Sequence, residues 1–436
     1  MTDLETRALP FRPGPPSWPG PLRRAAPALL GYAAVRALGL AVLVLWSEAR
    51  GKSAYTLLTA RWDALWYTGI AELGYGYEVH LPNGDVHSNL AFFPLLPWLE
   101  RLLATVSPLS YADGGFVVAV LASLAAAWGI FAVADHVYGP RVGVCAVLLW
   151  AVLPVAVVQS MAYSESLFTA LAAWSLYAVL TGRWVVAGGL AGLAGLTRPV
   201  GLAVVAAVWV AGIASLAHGR RLPAGFRSFG GSRRAAAVGG ARSGERAAPH
   251  EDIRRVPAPE GAYVPPGAPG VRVRRALGVF LAPLGAAGYV LWVGHRTGKG
   301  PFGYLDVQAG WRNGFDGGYA FARFTLEKFT SFPSAPAGLG LVLGVGLLVW
   351  LYVICVRQRQ PLPLLVYAGV VTALALCASS YFGSKPRLLM PAFPLLLPLA
   401  QGLARLRTTR SALVVASAAV ASAVYGAFWL NGSGPP

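Results

Sequence analysis

The sequence predicts an all-α, polytopic membrane protein, and three observations carry that prediction. Of 436 residues, 56% are hydrophobic and only 12% are charged, less charge than a soluble chain of this length needs on its surface. Runs of about 20 apolar residues recur, each long enough to cross a hydrocarbon core of about 30 Å as a helix. The arginines gather in a few segments between those runs, the positive-inside pattern of membrane proteins.

Taken in order, hydropathy gives about eleven spans, near 28–47, 114–136, 141–159, 164–181, 184–197, 199–217, 276–295, 336–356, 361–379, 386–403 and 411–430. The first is longer than a signal-peptide core and reads as a retained span. The boundary between the fifth and sixth rests on Pro199. The chain then divides into a cytoplasmic tail (1–27), an N-terminal membrane core (28–217) with a long loop at 48–113, a basic segment (218–275), and C-terminal helices (276–436) with a second long loop at 297–335. With the N-terminus in the cytoplasm, Arg23, Arg24, Arg141, Arg183, Arg357, Arg359, Arg405, Arg407 and Arg410 all fall on that side. Segment 218–275 joins them with twelve arginines against four acids. Loops 48–113 and 297–335 face the extracytoplasmic side, and the first carries seven acids against four basic residues. Segment 218–275 is rich in Gly, Ala, Pro and Arg, and is expected to be disordered because it has little apolar surface to offset ordering entropy. Contact with anionic lipid headgroups is its alternative use.

The net charge of +18 would point to nucleic acid in a soluble protein. Here loop arginines of a cell-membrane protein account for it, so no nucleic-acid partner is expected. Only Lys52, Lys299, Lys328 and Lys385 are lysines, and with abundant Ala, Gly and Arg this is the composition of a GC-rich bacterial genome. Cys145, Cys355 and Cys377 lie inside apolar runs at no ligand-like spacing, so neither a disulfide nor a metal site is expected.

The long first loop holds the most informative stretch, 61-RWDALWYTGIAELGYGYE-78. Trp62, Leu65, Trp66, Ile70 and Leu73 recur at helical spacing and define an apolar face. Asp63 and Tyr67, four apart, share a different face, with Arg61, Thr68 and Glu72 on the remaining side. The pattern predicts a short interfacial helix with its tryptophans toward lipid or protein and its carboxylate toward water. The turn 83-NGD-85 follows, and then 89-NLAFFPLLPWLERLL-103 continues as a second apolar-faced helix. Glu48, Glu72, Glu100 and Asp113 read as solvated loop acids. Asp63, flanked by Arg61 and aromatics at the end of a span, is costly there unless paired or used.

No nucleotide-binding glycine motif occurs on a strand, which argues against chemistry driven by ATP or NAD. A transferase acting at the outer face needs a donor carried on a lipid, with phosphate as leaving group. An acid then serves as general base on an acceptor hydroxyl, and Arg or Lys holds the phosphate. Arg198 in 196-LTRPVG-201, and Lys385 and Arg387 in 381-YFGSKPR-387, lie in outward turns and suit that second role. Glu165, at the outward end of a span, is either paired with Arg198 or Arg61 or in contact with substrate. His80 and His87, with Asp85, lack metal-ligand spacing.

The series 61-RWDALWYTGIAELGY-75, Tyr77-Glu78, 89-NLAFFPLLP-97, then 163-YSESLF-168 and 196-LTRPVG-201, resembles the PIG-V-like mannosyltransferases, which add the second mannose to glycosylphosphatidylinositol precursors. The motifs come in family order along roughly the first half of the chain. A further segment, 386-PRLLMPAFP-394, resembles the family's later Pro-Arg motif. The resemblance implies a GT-C glycosyltransferase fold, an active site at the outer face, and a polyprenyl-phosphate-mannose donor. It also implies inverting transfer without metal or cofactor. Asp63 maps onto the family's essential acid, and Arg61, Glu78 and Asn89 onto the same motif series. The chain departs by inserting 79-VHLPNGDVHS-88 before the Asn-x-Ala-Phe-Phe-Pro segment, which puts the position of Glu78 in doubt and bears on acceptor binding. A bacterial acceptor, a lipid glycan or cell-envelope glycan, would replace the eukaryotic anchor.

Two other readings stay open. One is a GT-C enzyme using another polyprenyl-linked sugar, such as arabinose or glucose. The other is a lipid or glycan transporter, which needs ionisable residues along a path through the spans. The span centres are nearly free of charge, with Arg36 the main exception.

Overall fold

A computed structural model describes residues 20–220, 269–379 and 381–432. The long first helix α1 (Gly20–Glu48) is followed by the loop elements α2 (Ala54–Thr59), α3 (Asp63–Leu73), β1 (Glu78–His80), β2 (Val86–Ser88) and α4 (Leu95–Val106). The membrane core continues with α5 (Tyr111–Tyr138), α6 (Pro140–Ala151), α7 (Glu165–Leu180), α8 (Trp184–Gly195) and α9 (Leu202–Arg220). Then come α10 (Pro269–Leu281), α11 (Leu284–Arg296), and the second loop's α12 (Gly303–Gly310) and α13 (Tyr319–Glu327). The chain closes with α14 (Ala335–Arg357), α15 (Leu362–Cys377), α16 (Lys385–Leu389), α17 (Leu397–Arg405) and α18 (Thr408–Leu430).

Every predicted apolar run is helical, but the runs are not equivalent. Among the described residues, five helical stretches are long and apolar enough to cross a membrane: α1, α5, the joined α10–α11, α14 and α18. A sixth arises if the stretch Phe382–Leu389 and its continuation Phe393–Arg405, bent by 74°, count as one. The remaining runs form apolar helices of 10–17 residues. Hydropathy windows mark the apolar runs without telling a straight helix from a short one followed by apolar turns. Helix α1 begins at Gly20, ahead of the apolar run at residue 28, and carries Arg23 and Arg24. The expectation of disorder for 218–275 falls, for residues 221–268, outside the described residues, and both flanks of that segment are helical.

The centre of the core is α5, packed against α1, α4, α6 and α7. Small side chains permit this, with Ala126, Ala127, Ala172 and Ala173 fully buried. Helix α8 lies so close to α10 and α11 that a Cβ on Gly188 would strike the Gly278 carbonyl, and one on Gly195 the Ala286 backbone nitrogen. The breaks in the short helices are covered from inside. Helix α6 stops at Ala151 and residues 156–160 make a tight 3-10 turn. Arg36 donates to the carbonyls of Ala151 (2.6 Å) and Ala156 (2.5 Å), and Gln159 donates to that of Trp150 (2.8 Å). Around the α16–α17 break, Trp150 donates to the Met390 carbonyl (3.1 Å) and the Tyr367 hydroxyl to that of Pro391 (2.9 Å). Non-helical backbone is tolerated at membrane depth only when protein satisfies it this way. Arg36, the main charge among the span centres, caps backbone carbonyls.

Candidate active site

The first loop folds as a cap on one end of the core. As predicted, residues 83–85 form the turn of a two-stranded antiparallel hairpin, with Gly84 at φ 85°. Helix α3 forms at its predicted place but turns a different face inward. Ala64, Tyr67, Ile70 and Ala71 are buried, whereas Leu65 and Leu73 are exposed. Sequence periodicity identifies an apolar stripe, but lipid and protein compete for it, and here protein takes the face that carries Ala64, Tyr67 and Ala71.

Asp63 opens α3 and follows Trp62, a non-glycine residue at φ 49°. Such a backbone state costs energy and persists only where its surroundings hold it. The hold is visible in Arg61, whose guanidinium lies 3.9 Å from the centre of the Trp62 ring. Arg61 also donates to the carbonyls of Leu430 (2.8 Å) and Gly432 (3.2 Å), and Lys52 to that of Asn431 (2.7 Å). These are the open carbonyls at the end of α18, where cations are favoured. Arg61 therefore anchors the start of α3 to the last helix.

From Asp63 a line of alternating charges runs inward. The Asp63 carboxylate pairs with Arg387 on α16 at 2.8 Å, and Arg387 pairs with Glu165 at the start of α7 at 3.2 Å. Glu165 pairs in turn with Arg198, in the turn between α8 and α9. Glu165 and Arg387 are buried and Arg198 nearly so, whereas the Asp63 side chain keeps 26% of its surface open. Two acids and two arginines balance, which is how charges are retained in a low-dielectric setting. The one member with an open edge is Asp63. Beside them the Tyr67 hydroxyl bonds Ser164 at 2.8 Å, and the Tyr163 ring lies 5.1 Å from the Arg387 guanidinium. Burial pushes the Tyr67 phenol above its ordinary range, so it stays protonated at neutral pH.

Four of the eight nominated residues, Asp63, Glu165, Arg198 and Arg387, thus meet. The other four serve as anchors or lie apart. Asn89 is buried and ties the turn after α3 together, accepting from the Gly76 N–H (3.0 Å) and donating to the Gly74 carbonyl (3.1 Å). Lys385 is buried and donates to the carbonyls of Ala375 (2.7 Å) and Ala378 (2.8 Å) at the end of α15. Glu78 is exposed on β1, opposite Ser88. Tyr163 and Ser164 were read only as part of the YSES motif, and Tyr67 only as a neighbour of Asp63 in helical phase. One acid contradicts its reading: Glu100, taken as solvated, is fully buried on α4.

Fold and site together define a many-helix protein with apolar helices long enough to span a membrane and a charged cluster beneath a loop cap. Residues 90–224, under a third of the chain, match the family described as dolichyl-phosphate-mannose-protein mannosyltransferase. No curated protein matches the chain in sequence. Among solved structures, ArnT from Cupriavidus metallidurans bound to undecaprenyl phosphate is similar at a TM-score of 0.49 and 15% identity. That likeness covers 88% of this chain and 61% of ArnT, so the chain spans less than two thirds of that protein's length. The archaeal oligosaccharyltransferase AglB from Archaeoglobus fulgidus, in complex with an inhibitory peptide and a dolichol-phosphate, gives a TM-score of 0.41 at 11% identity. It covers 93% of this chain and 56% of its own.

Proposed function

We propose that the protein is a membrane glycosyltransferase of the GT-C type, moving a sugar from polyprenyl phosphate to an acceptor hydroxyl at the extracytoplasmic face. The observation that carries this reading is the line Asp63–Arg387–Glu165–Arg198, assembled from four segments far apart in sequence. The match of residues 90–224 to a family that uses dolichyl-phosphate-mannose supports the lipid-linked donor. The motif resemblance in the first loop favours mannose as the sugar.

In the proposed step the acceptor O–H gives its proton to the Asp63 carboxylate while its oxygen forms a bond to the sugar C1. The C1–O bond to phosphate breaks and its electron pair leaves with the polyprenyl phosphate. Arg387, already paired with Asp63, shifts part of its pairing to the developing phosphate charge, with Arg198 behind it. Glu165 keeps the two arginines in place. No residue in this scheme calls for a metal.

The test is Asp63→Asn in the full chain, reconstituted in vesicles with polyprenyl-phosphate-mannose and a glycolipid extract of the host membrane. Loss of the base lowers transfer by about 10²–10⁴-fold. Transfer at the wild-type rate would remove Asp63 from the role of base. Donors carrying glucose or arabinose, run in parallel, read out the sugar.

A further inference from the structure

Two aromatic clusters sit side by side in the cap, and they differ in one respect. Leu90, Phe93, Tyr289, Val293 and Tyr304 form a sealed core. Next to it Trp66, Phe92, His87 and Trp311 are only half-buried, and Tyr77 keeps 58% of its surface open. Trp66 lies parallel to Phe92 at 5.6 Å, meets Trp311 edge-on at 5.0 Å, and has Tyr77 at 5.9 Å. His87, on the inserted hairpin, stacks on Trp311 at 4.0 Å.

We infer that this open aromatic wall is a carbohydrate subsite that takes a pyranose ring of the acceptor glycan. Three observations support it. The wall is continuous with the charged cluster: Tyr67, one helical turn beyond Asp63, meets Phe92 edge-on at 5.2 Å. Its rings are fixed beforehand. The Trp311 indole donates to the Ser88 carbonyl (3.0 Å), and the following residue, Arg312, sits at φ 55° and pairs with Asp85 of the hairpin at 2.6 Å. A pre-positioned ring loses little freedom on binding. The rim is polar and of both charge signs, with Glu78, His80 and Arg312 exposed.

A pyranose has that chemistry, with C–H faces that lie on aromatic rings and hydroxyls around its edge for polar partners. A membrane-interface belt uses aromatic residues at headgroup level without such a mixed rim. The wall also gives a use to the ten residues 79–88 by which the sequence departs from the family it resembles. This inference rests on the transferase reading for the role of the sugar as acceptor, though not for its binding.

The probe is methyl α-mannopyranoside, with open-chain mannitol as control. Binding is followed by saturation-transfer NMR on the full chain in a detergent without a sugar headgroup. Saturation is expected on the pyranoside ring protons and not on mannitol. It should fall at least several-fold in Tyr77→Ala, an exposed position with little effect on folding, and in Trp311→Ala, with partial recovery in Trp311→Phe. In transfer assays Tyr77→Ala should raise the acceptor KM about tenfold and leave the donor KM in place. Unchanged saturation and unchanged acceptor KM in both alanine variants overturn the subsite, as does equal saturation of mannitol. An unaltered pyranoside signal in those variants, with a melting temperature lowered in lipid vesicles but not in detergent, makes the wall a membrane anchor and overturns it too. If the wild type transfers no sugar while the Tyr77-dependent pyranoside signal persists, the transferase reading fails and the subsite stands.

Discussion

Two acids among the described residues are taken wholly out of solvent, and they differ in company: one is paired with cations and the other is not. Glu165 is 1% exposed and faces two guanidinium groups, those of Arg198 and Arg387. Glu100 is 0% exposed on α4, and neither carboxyl oxygen has a hydrogen-bond partner among the described residues. It lies instead against Gly115 of α5, where a Cβ would come within 2.5 Å of its Oε1. Burial pushes the Glu100 carboxyl up to about 9, so it is neutral at physiological pH. A charge in a low-dielectric interior is kept by pairing or given up by protonation. The candidate active site takes the first course and the cap's attachment to the core takes the second. Burial alone therefore does not single out the candidate site; the cations around an open member are what set it apart from Glu100.

The sharpest way to break the contrast is at the centre of the charged line. Arg387→Met leaves Glu165 with one cation and Asp63 with none, and should cost about 3–5 kcal/mol of stability along with transfer activity. Thermal melts of the purified full chain measure it. Arg387→Met combined with Asp63→Asn should be less destabilising than the single change, because Glu165 still pairs with Arg198 and no carboxylate is left without a cation. At the other acid the expected effects are smaller. Gly115→Ala places a methyl on the Glu100 carboxyl and should cost about 1–3 kcal/mol. Most of that cost should vanish in a Glu100→Ala background, as a double-mutant cycle would show.

A last test is a pH dependence with a definite sign, spread over several pH units. With a folded-state value raised from the ordinary 4.5 to about 9, Glu100 holds a proton in the folded protein that the unfolded chain has lost. Its contribution therefore lowers stability progressively as pH rises through that window, and levels off above about 9. Melting temperature followed against pH should fall more steeply in wild type than in Glu100→Gln, which has no proton to lose. Parallel curves would show that Glu100 is not held neutral.

How far the sequence could be read follows from these contrasts. The helical class and the loop turn at 83–85 were legible because hydropathy and turn chemistry act locally. Asp63 was legible because an acid among aromatics at a span end is costly. The partners were nominated as types only: Arg198, Arg387 and Glu165 each sat at a span end with a suitable charge. Nothing local distinguished Arg387 from Lys385, two residues away. One pairs with Asp63, while the other is spent on the carbonyls that close α15. Glu100 was misread because the glycine that receives its carboxyl lies on a different helix.

Composition and period were enough to define a chain of apolar helices with an acid-bearing loop, since each depends on neighbours within a turn or two. Which apolar runs stay short, which face of α3 turns inward and which arginine meets Asp63 depend on contacts between segments up to several hundred residues apart. Arg61 grips the carbonyls that end α18, and a bend of 74° near Pro391 sets Arg387 between two acids. Charge pairing decays over a few ångströms in a screened medium and is selective only at contact. Only the packed helices bring those groups to contact, so the site is a property of the tertiary structure.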